Sequence, residues 1–217
     1  MIKHKYYSDF EAAFRGLINT IHKEPQYKFE SRIGNTYEIL GMSYTVKDLK
    51  SFMFSTESLG RIDYDYASKF YEWMVSGATD VESVFKDYPN VAKFLAKPKS
   101  EELPSNFNTF YGPRILEQLP KIKQELISNP NTRRAVISIL DKGDLELLDK
   151  DETLEFPCCD SATFSIREGK LNINLHMRSE NIGNVLKLDM YLWGRFTCEL
   201  AEELGLELGD FMSTIVS

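Results

Sequence analysis

The chain has 217 residues, 42% hydrophobic and 27% charged, with 26 basic against 33 acidic side chains and a net charge of −7. That length suits one domain with a substantial core, and the acidic balance argues against a nucleic-acid polymer as partner, since that needs clustered cations. No apolar run reaches the length of a membrane span and no secretory apolar segment follows Met1, so no membrane partner is expected, whereas a small phosphorylated ligand stays open.

The first periodic stretch, YSDFEAAFRGLINTIHKE, sets Phe10, Phe14, Leu17, Ile18 and Ile21 at helical spacing. NTYEILGMSYTV reads as a strand pair or a bent strand around Gly41, and YASKFYEWMVSG as a helix closed by Gly77. Between residues 89 and 114, Pro, Ser and Asn are more frequent, which predicts a loop-rich insertion facing a substrate. ILEQLPKIKQELISNP predicts an amphipathic helix ended by Asn129 and Pro130, and RRAVISIL a buried strand. Phe164, Ile166, Leu171, Ile173, Leu175 and Met177 alternate around a turn at residues 168–170, a β-hairpin with Asn172, Asn174, His176 and Arg178 on its other face. From about Met190 the pattern turns helical, with Leu192, Phe196, Leu200 and Leu204 on one stripe and Gly205 as the stop. The mixture is α+β.

Three cysteines, Cys158, Cys159 and Cys198, form neither a disulfide framework nor paired zinc-site spacing, and His4, His22 and His176 are scattered. A reducing cytoplasm, that of a phage-infected host included, is the expected compartment, and no metal is expected. Cys158 is the candidate nucleophile; as a thiolate it needs cations nearby, which Arg178, Arg133 and Arg134 could supply. The plainer reading of both adjacent cysteines is as small buried apolar residues. Arg133-Arg134 after Thr132, and Arg178-Ser179, have the guanidinium and hydroxyl groups that bind phosphate. Asp189, in an apolar run, is either the N-cap of the following helix or a ligand contact.

Together these residues resemble the thymidylate synthase family, which includes the deoxycytidylate hydroxymethylases. NPNTRRAVISI resembles its double-arginine strand, PCCDSATFSIREGKLNINLHMRS its nucleophile hairpin, and the run from Arg178 to Phe211 keeps its spacing. FYGPRI and SRIGNTYEILGMSY resemble two further elements nearer the N-terminus. The resemblance implies a single domain over 1–217 with a large mixed sheet flanked by helices, dimerising through the sheet face and sharing active sites between subunits. It implies that Cys158 adds to C6 of a pyrimidine nucleoside monophosphate and that 5,10-methylenetetrahydrofolate supplies one carbon to C5. Arg178 and Ser179 then hold the phosphate, Arg133 and Arg134 arrive from the partner subunit, Arg32 is the mobile-loop arginine, Tyr111 lines the pocket, and Asn181 stands where an aspartate usually contacts folate.

The departures from the family carry the finer expectations. Asp189 replaces the asparagine that reads uracil; a carboxylate accepts from the amino group of cytosine and from N3–H once thiolate addition makes N3 basic. Cytosine, hence dCMP hydroxymethylation, is the favoured expectation, with dUMP methylation and a catalytically impaired nucleotide-binding homologue as alternatives. Anchored on Trp73 and Gly77, the family's catalytic glutamate falls at Phe70, with Glu72 two residues away on another helical face. No tryptophan precedes Tyr111, which favours water over hydride at the last step. The sequence ends at Ser217, before the family's strand with a His and a Tyr for the sugar and its closing tail, so a domain lacking that end is expected.

Overall fold

The computed structural model of the chain describes residues 3–31, 34–53, 63–87, 105–107, 109, 111–148 and 155–217. Eight strands follow in chain order: β1 (Lys3–Tyr7), β2 (Tyr27–Ser31), β3 (Gly34–Glu38), β4 (Met42–Val46), β5 (Val136–Ser138), β6 (Cys159–Arg167), β7 (Lys170–Met177) and β8 (Glu207–Ile215). The helices are α1 (Phe10–Lys23), α2 (Tyr64–Ser76), α3 (Glu82–Phe85), α4 (Tyr111–Ser128) and α5 (Leu186–Glu203). Among these residues no helix is long and apolar enough to cross a membrane.

Six strands form one mixed sheet in the order β1-β4-β8-β7-β6-β5, and β2 and β3 pair apart from it. β1 runs parallel to β4 and β7 to β8; the other neighbours in the large sheet are antiparallel. Side chains alternate across a strand, so Leu171, Ile173, Leu175 and Met177 of β7 are buried on one face with Phe164 of β6 and Phe211 of β8. Phe10, Phe14 and Leu17 of α1, Tyr71 and Met74 of α2, and Met190, Trp193 and Leu200 of α5 belong to the same core. The other face carries Asn172, Asn174 and His176 of β7 with Asp210, Met212 and Thr214 of β8, all at least partly exposed. On that face the His4 ring nitrogens bond to Ser43 Oγ at 2.7 Å and Thr45 Oγ1 at 3.1 Å.

Helix starts follow their caps. Asp9 accepts from Ala12 N at 2.8 Å and Asp63 from Tyr66 N at 2.9 Å, each satisfying an otherwise orphaned amide. Gly77 ends α2 at φ 75°, a conformation natural to glycine. At Gly112 the reason is space: a Cβ there would lie 2.3 Å from the Met74 carbonyl oxygen, so glycine lets α4 approach α2.

Three expectations need correction. The strand in RRAVISIL is a short edge strand with one face exposed rather than buried, because among the described residues β5 pairs only with β6; Val136 and Ser138 are exposed, while Ala135, Ile137 and Ile139 are buried. The helix expected from Ile115 starts at Tyr111, inside the stretch expected to be loop. The last helix starts at Leu186, not near Met190, which places Asp189 inside its first turn and removes the N-cap reading.

One ion pair ties α4 to the segment after β5. Arg114 donates from Nη1 to Asp144 Oδ2 at 2.7 Å and from Nη2 to Oδ1 at 2.6 Å, and also to the Ile139 carbonyl. The Asp144 side chain is 5% exposed and that of Arg114 21%. Burial raises Asp144, but the guanidinium fork and the Asp141 N–H together outweigh it and hold the carboxyl below its ordinary range. A depressed carboxyl stabilises the fold above its unfolded value, and that contribution is lost as pH falls through the folded one. Asp144→Ala removes the carboxylate that balances a largely buried guanidinium and should lower unfolding free energy by about 3 kcal/mol in urea denaturation at neutral pH. The difference from the wild type should shrink once the pH falls below the ordinary carboxylate range.

Candidate active site

The adjacent cysteines differ because a strand turns successive side chains to opposite faces. Cys159 opens β6 and is 0% exposed, whereas Cys158, just before the strand, is half-buried with its thiol on the other side. Burial pushes the Cys159 thiol far up, as do Asp189, Asp160 and Glu180, so it is an inert core residue. The two thiols thus divide the alternatives left by sequence, one in the core and one at a surface.

The hairpin then returns Arg178 to that surface. Arg178 N donates to the Cys158 carbonyl at 2.8 Å and its Nε to the Pro157 carbonyl at 3.1 Å. This seats Nη2 4.0 Å from the Cys158 sulfur, while the guanidinium lies 5.2 Å over the Phe156 ring. Ser179 Oγ is 3.7 Å from the same sulfur. A thiol with a cation and a hydroxyl this close can add to an electrophilic carbon beside a bound anion.

Two acids adjoin the thiol, Asp189 buried and Glu180 partly exposed. Asp189 is 7% exposed, and burial raises its carboxyl to about 7, against a smaller lowering by Glu180. Glu180 is driven well above the usual carboxylate range by burial first and then by Asp189 and Cys158. Tyr111, at the start of α4, accepts from Cys159 N at 3.2 Å, and burial followed by Asp189 keeps its phenol from ionising. Tyr44 of β4 faces the cluster, raised by burial and then by Glu180. Cys158, Arg178, Ser179, Tyr111 and Asp189 therefore converge at one end of the sheet.

The other candidates do not join them within this chain. Arg133 and Arg134 are exposed, and Arg134 pairs with Glu125 at 3.0 Å. The Ala135 carbonyl accepts from Phe164 N, so these arginines sit near Phe164, six residues along from Cys158. At roughly 3.3 Å per residue that is about 20 Å away, beyond an arginine's reach. Asn181 shapes the turn into α5: its Oδ1 accepts from Asn184 N at 3.1 Å and its carbonyl from Val185 N at 2.8 Å. Arg32 lies outside the described residues. Phe70 is buried among Tyr66, Trp73 and Phe85, and Glu72 points to Arg195 at 2.5 Å, so neither puts a carboxylate at Cys158. Glu180 was missed by sequence reasoning; its signal was an acid directly after Arg178-Ser179, where the strand ends.

A half-buried thiol flanked by an arginine and a serine hydroxyl is an arrangement able to act as a nucleophile beside a small anion. A family profile described as thymidylate synthase matches residues 13–217. The chain is 25% identical over 183 residues to deoxycytidylate 5-hydroxymethyltransferase of Enterobacteria phage T4, covering 82% of this chain and 69% of that protein. The figures are the same for the phage T2 protein of that name. A thymidylate synthase of Vesicomyosocius okutanii subsp. Calyptogena okutanii (strain HA) is 28% identical over 99 residues, 46% of this chain and 36% of its own. The chain belongs to the thymidylate synthase family and is an enzyme of the methyl- and hydroxymethyltransferase kind.

The thiols should separate under alkylation. Burial raises Cys198 to about 11 and shields Cys159 more strongly. Iodoacetamide at about pH 8 should label Cys158 at least roughly ten-fold faster than either, read by peptide mass spectrometry, since only thiolate reacts. Equal labelling of Cys159 would contradict its burial.

Proposed function

We propose that the chain transfers one carbon to C5 of a pyrimidine nucleoside monophosphate, with dCMP as substrate and 5-hydroxymethyl-dCMP as product. Asp189 carries this reading: the residue sealed against the Cys158 cluster is a carboxyl group, not an amide. Arg178 and Ser179 hold the phosphate beside the thiol, and Tyr111 walls the pocket.

The base assignment follows from proton positions. As Cys158 adds to C6, the C5=C6 electron pair shifts to C4=C5, and N3 takes a proton from Asp189. The cytosine adduct then offers two donors, N3–H and the C4 amino group, and the Asp189 carboxylate accepts from both. A uracil adduct offers one donor and an oxygen, which a carboxylate repels. An Asp189 near neutrality can give up and recover that proton. The same value favours a second reading: neutral Asp189 can donate to O4 of uracil and accept from its N3–H, so dUMP methylation is the runner-up.

When bound, 5,10-methylenetetrahydrofolate supplies the one-carbon unit. Asn181 fits it only through its amide N–H groups, because its carbonyl oxygen is engaged in the turn. The hydroxymethyl product is supported by the name of the phage T4 and T2 relatives and by the lack of a tryptophan before Tyr111. A homodimer joined through the less covered face of the sheet would let Arg133 and Arg134 serve the phosphate of the partner's site, since they are too far from their own.

Mass spectrometry of products from dCMP and dUMP with methylenetetrahydrofolate tests the reading, and 5-hydroxymethyl-dCMP from dCMP is expected. Cys158→Ser should abolish turnover while nucleotide affinity persists. Asp189→Asn should lower turnover of dCMP relative to dUMP by roughly 10–100-fold, the effect of one mismatched buried polar group. A dCMP preference that survives Asp189→Asn would refute the assignment, and methylated dUMP from the wild type would establish the runner-up.

A further inference from the structure

Arg133 and Arg134 leave the body of the chain at a turn that one acid organises. Glu125, in the last turn of α4, has its side chain 21% exposed, and its Oε1 accepts from Thr132 Oγ1 at 2.6 Å. The same oxygen accepts from Arg134 Nε at 3.1 Å and Nη2 at 3.0 Å, and Oε2 accepts from Asn129 Nδ2 at 3.2 Å. Thr132, 8% exposed, is fixed through its backbone as well: its N–H donates to the Asn129 carbonyl at 2.8 Å. Its hydroxyl oxygen also accepts from Arg134 N at 3.1 Å. One side chain therefore reaches the start, the middle and the end of the turn.

The grip on Arg134 is one-sided. Both bonds come from the Nε–Nη2 edge of the guanidinium, Nη1 has no partner among the described residues, and the side chain stays 77% exposed. Arg133 is exposed and likewise has no partner among them. An ion pair this exposed adds little to folding stability, and an acid beside two arginines weakens their attraction for a phosphate. What Glu125 does supply is order: an arginine already held in one orientation has less rotamer freedom to lose when an anion binds.

We propose that Glu125 is a positioning residue for phosphate binding. It fixes the turn of residues 129–134 and the orientation of Arg134, so that Nη1 of Arg134 and the guanidinium of Arg133 are presented to the nucleotide phosphate in the partner's site. This rests on the homodimer reading above. Glu125 itself touches no substrate. Its two effects on the phosphate have opposite signs: by charge alone, removing the acid should tighten binding, whereas losing the orientation it imposes should weaken it.

The test is steady-state kinetics of the full chain with methylenetetrahydrofolate and whichever of dCMP and dUMP it turns over, read as separate KM and kcat. Glu125→Ala should raise KM for the nucleotide roughly three- to ten-fold, the effect of ordering one arginine side chain anew at each binding event, with kcat within about two-fold of wild type. Glu125→Gln keeps an oxygen that accepts from Thr132 and Arg134 and should restore KM to within about two-fold. Thr132→Val removes the hydroxyl from the other side of the contact and should raise KM in the same sense, which decides the matter if Glu125→Ala does not fold. A mixed dimer of one Glu125→Ala protomer and one Cys158→Ser protomer has one working thiol, served by arginines beside an intact Glu125, and should return to the wild-type KM. If Arg133→Ala or Arg134→Ala raises KM while Glu125→Ala leaves it unchanged or lowers it, or if Glu125→Gln is as impaired as Glu125→Ala, the role of Glu125 alone is overturned. If neither arginine variant alters KM, or the mixed dimer keeps the raised value, the shared-site reading fails and this proposal with it. A wild type that turns over neither nucleotide overturns the pyrimidine reading and the proposal together.

Discussion

The backbone bond from Arg178 N to the Cys158 carbonyl extends the β6–β7 ladder past its last paired residues and holds a guanidinium beside a thiol. A slip of β6 by one residue in that pairing would exchange the two faces of this strand, sending Cys158 inward and Cys159 outward. The register is protected by what it buries. Ala162 and Phe164 of β6 lie in the core, and both would be turned out of it if β6 slipped by one residue against β7. The irregularity between Cys159 and Ser161 falls next to the nucleophile, where bulges commonly re-aim a side chain. Packing along the whole hairpin thus specifies the position of one sulfur atom at its end.

Behind that atom the structure keeps acids in an apolar setting. Asp189 and Glu180 are surrounded by Tyr44, Tyr111 and Cys159, which offer little to balance a charge. Such a cluster opposes folding, because desolvating a carboxyl is unfavourable whichever proton it keeps. Structural acids elsewhere in the chain have a different character: Asp144 has its arginine and Glu155 accepts from Thr109 N and Oγ1. The contrast separates carboxyls that hold the fold from carboxyls that the fold must hold.

The hairpin, α1, α2 and the stops at Gly77 and Gly205 were legible in the sequence because period and punctuation agreed there. Cys158, Arg178, Ser179 and Tyr111 were legible through family resemblance, and the structure brings them to one place. What local pattern could not supply was long-range geometry. The edge position of β5 depends on which strand lies beside it, and Asp189 could be separated from a cap only once α5 was seen to start at Leu186. Glu180 was hidden for the same reason: an acid after a strand is ordinarily solvated, and only the packing of α5 brings Asp189 close enough to raise it. Phe70 shows the converse, an aromatic residue whose ring cluster with Tyr66, Trp73 and Phe85 occupies the position where the family's glutamate was expected.

The opposite facing of the adjacent cysteines also governs how the protein meets oxidants. A disulfide between neighbours would require Cys159 to leave the core, where it is 0% exposed, and to break the amide contact with Tyr111. The nearest thiol is therefore unable to resolve a sulfenic acid formed on Cys158, and Cys198 is anchored by α5 to the segment after β4. Oxidation at Cys158 would stay as a mono-adduct, open to an external thiol such as glutathione and, under sustained peroxide, to the irreversible sulfinic stage.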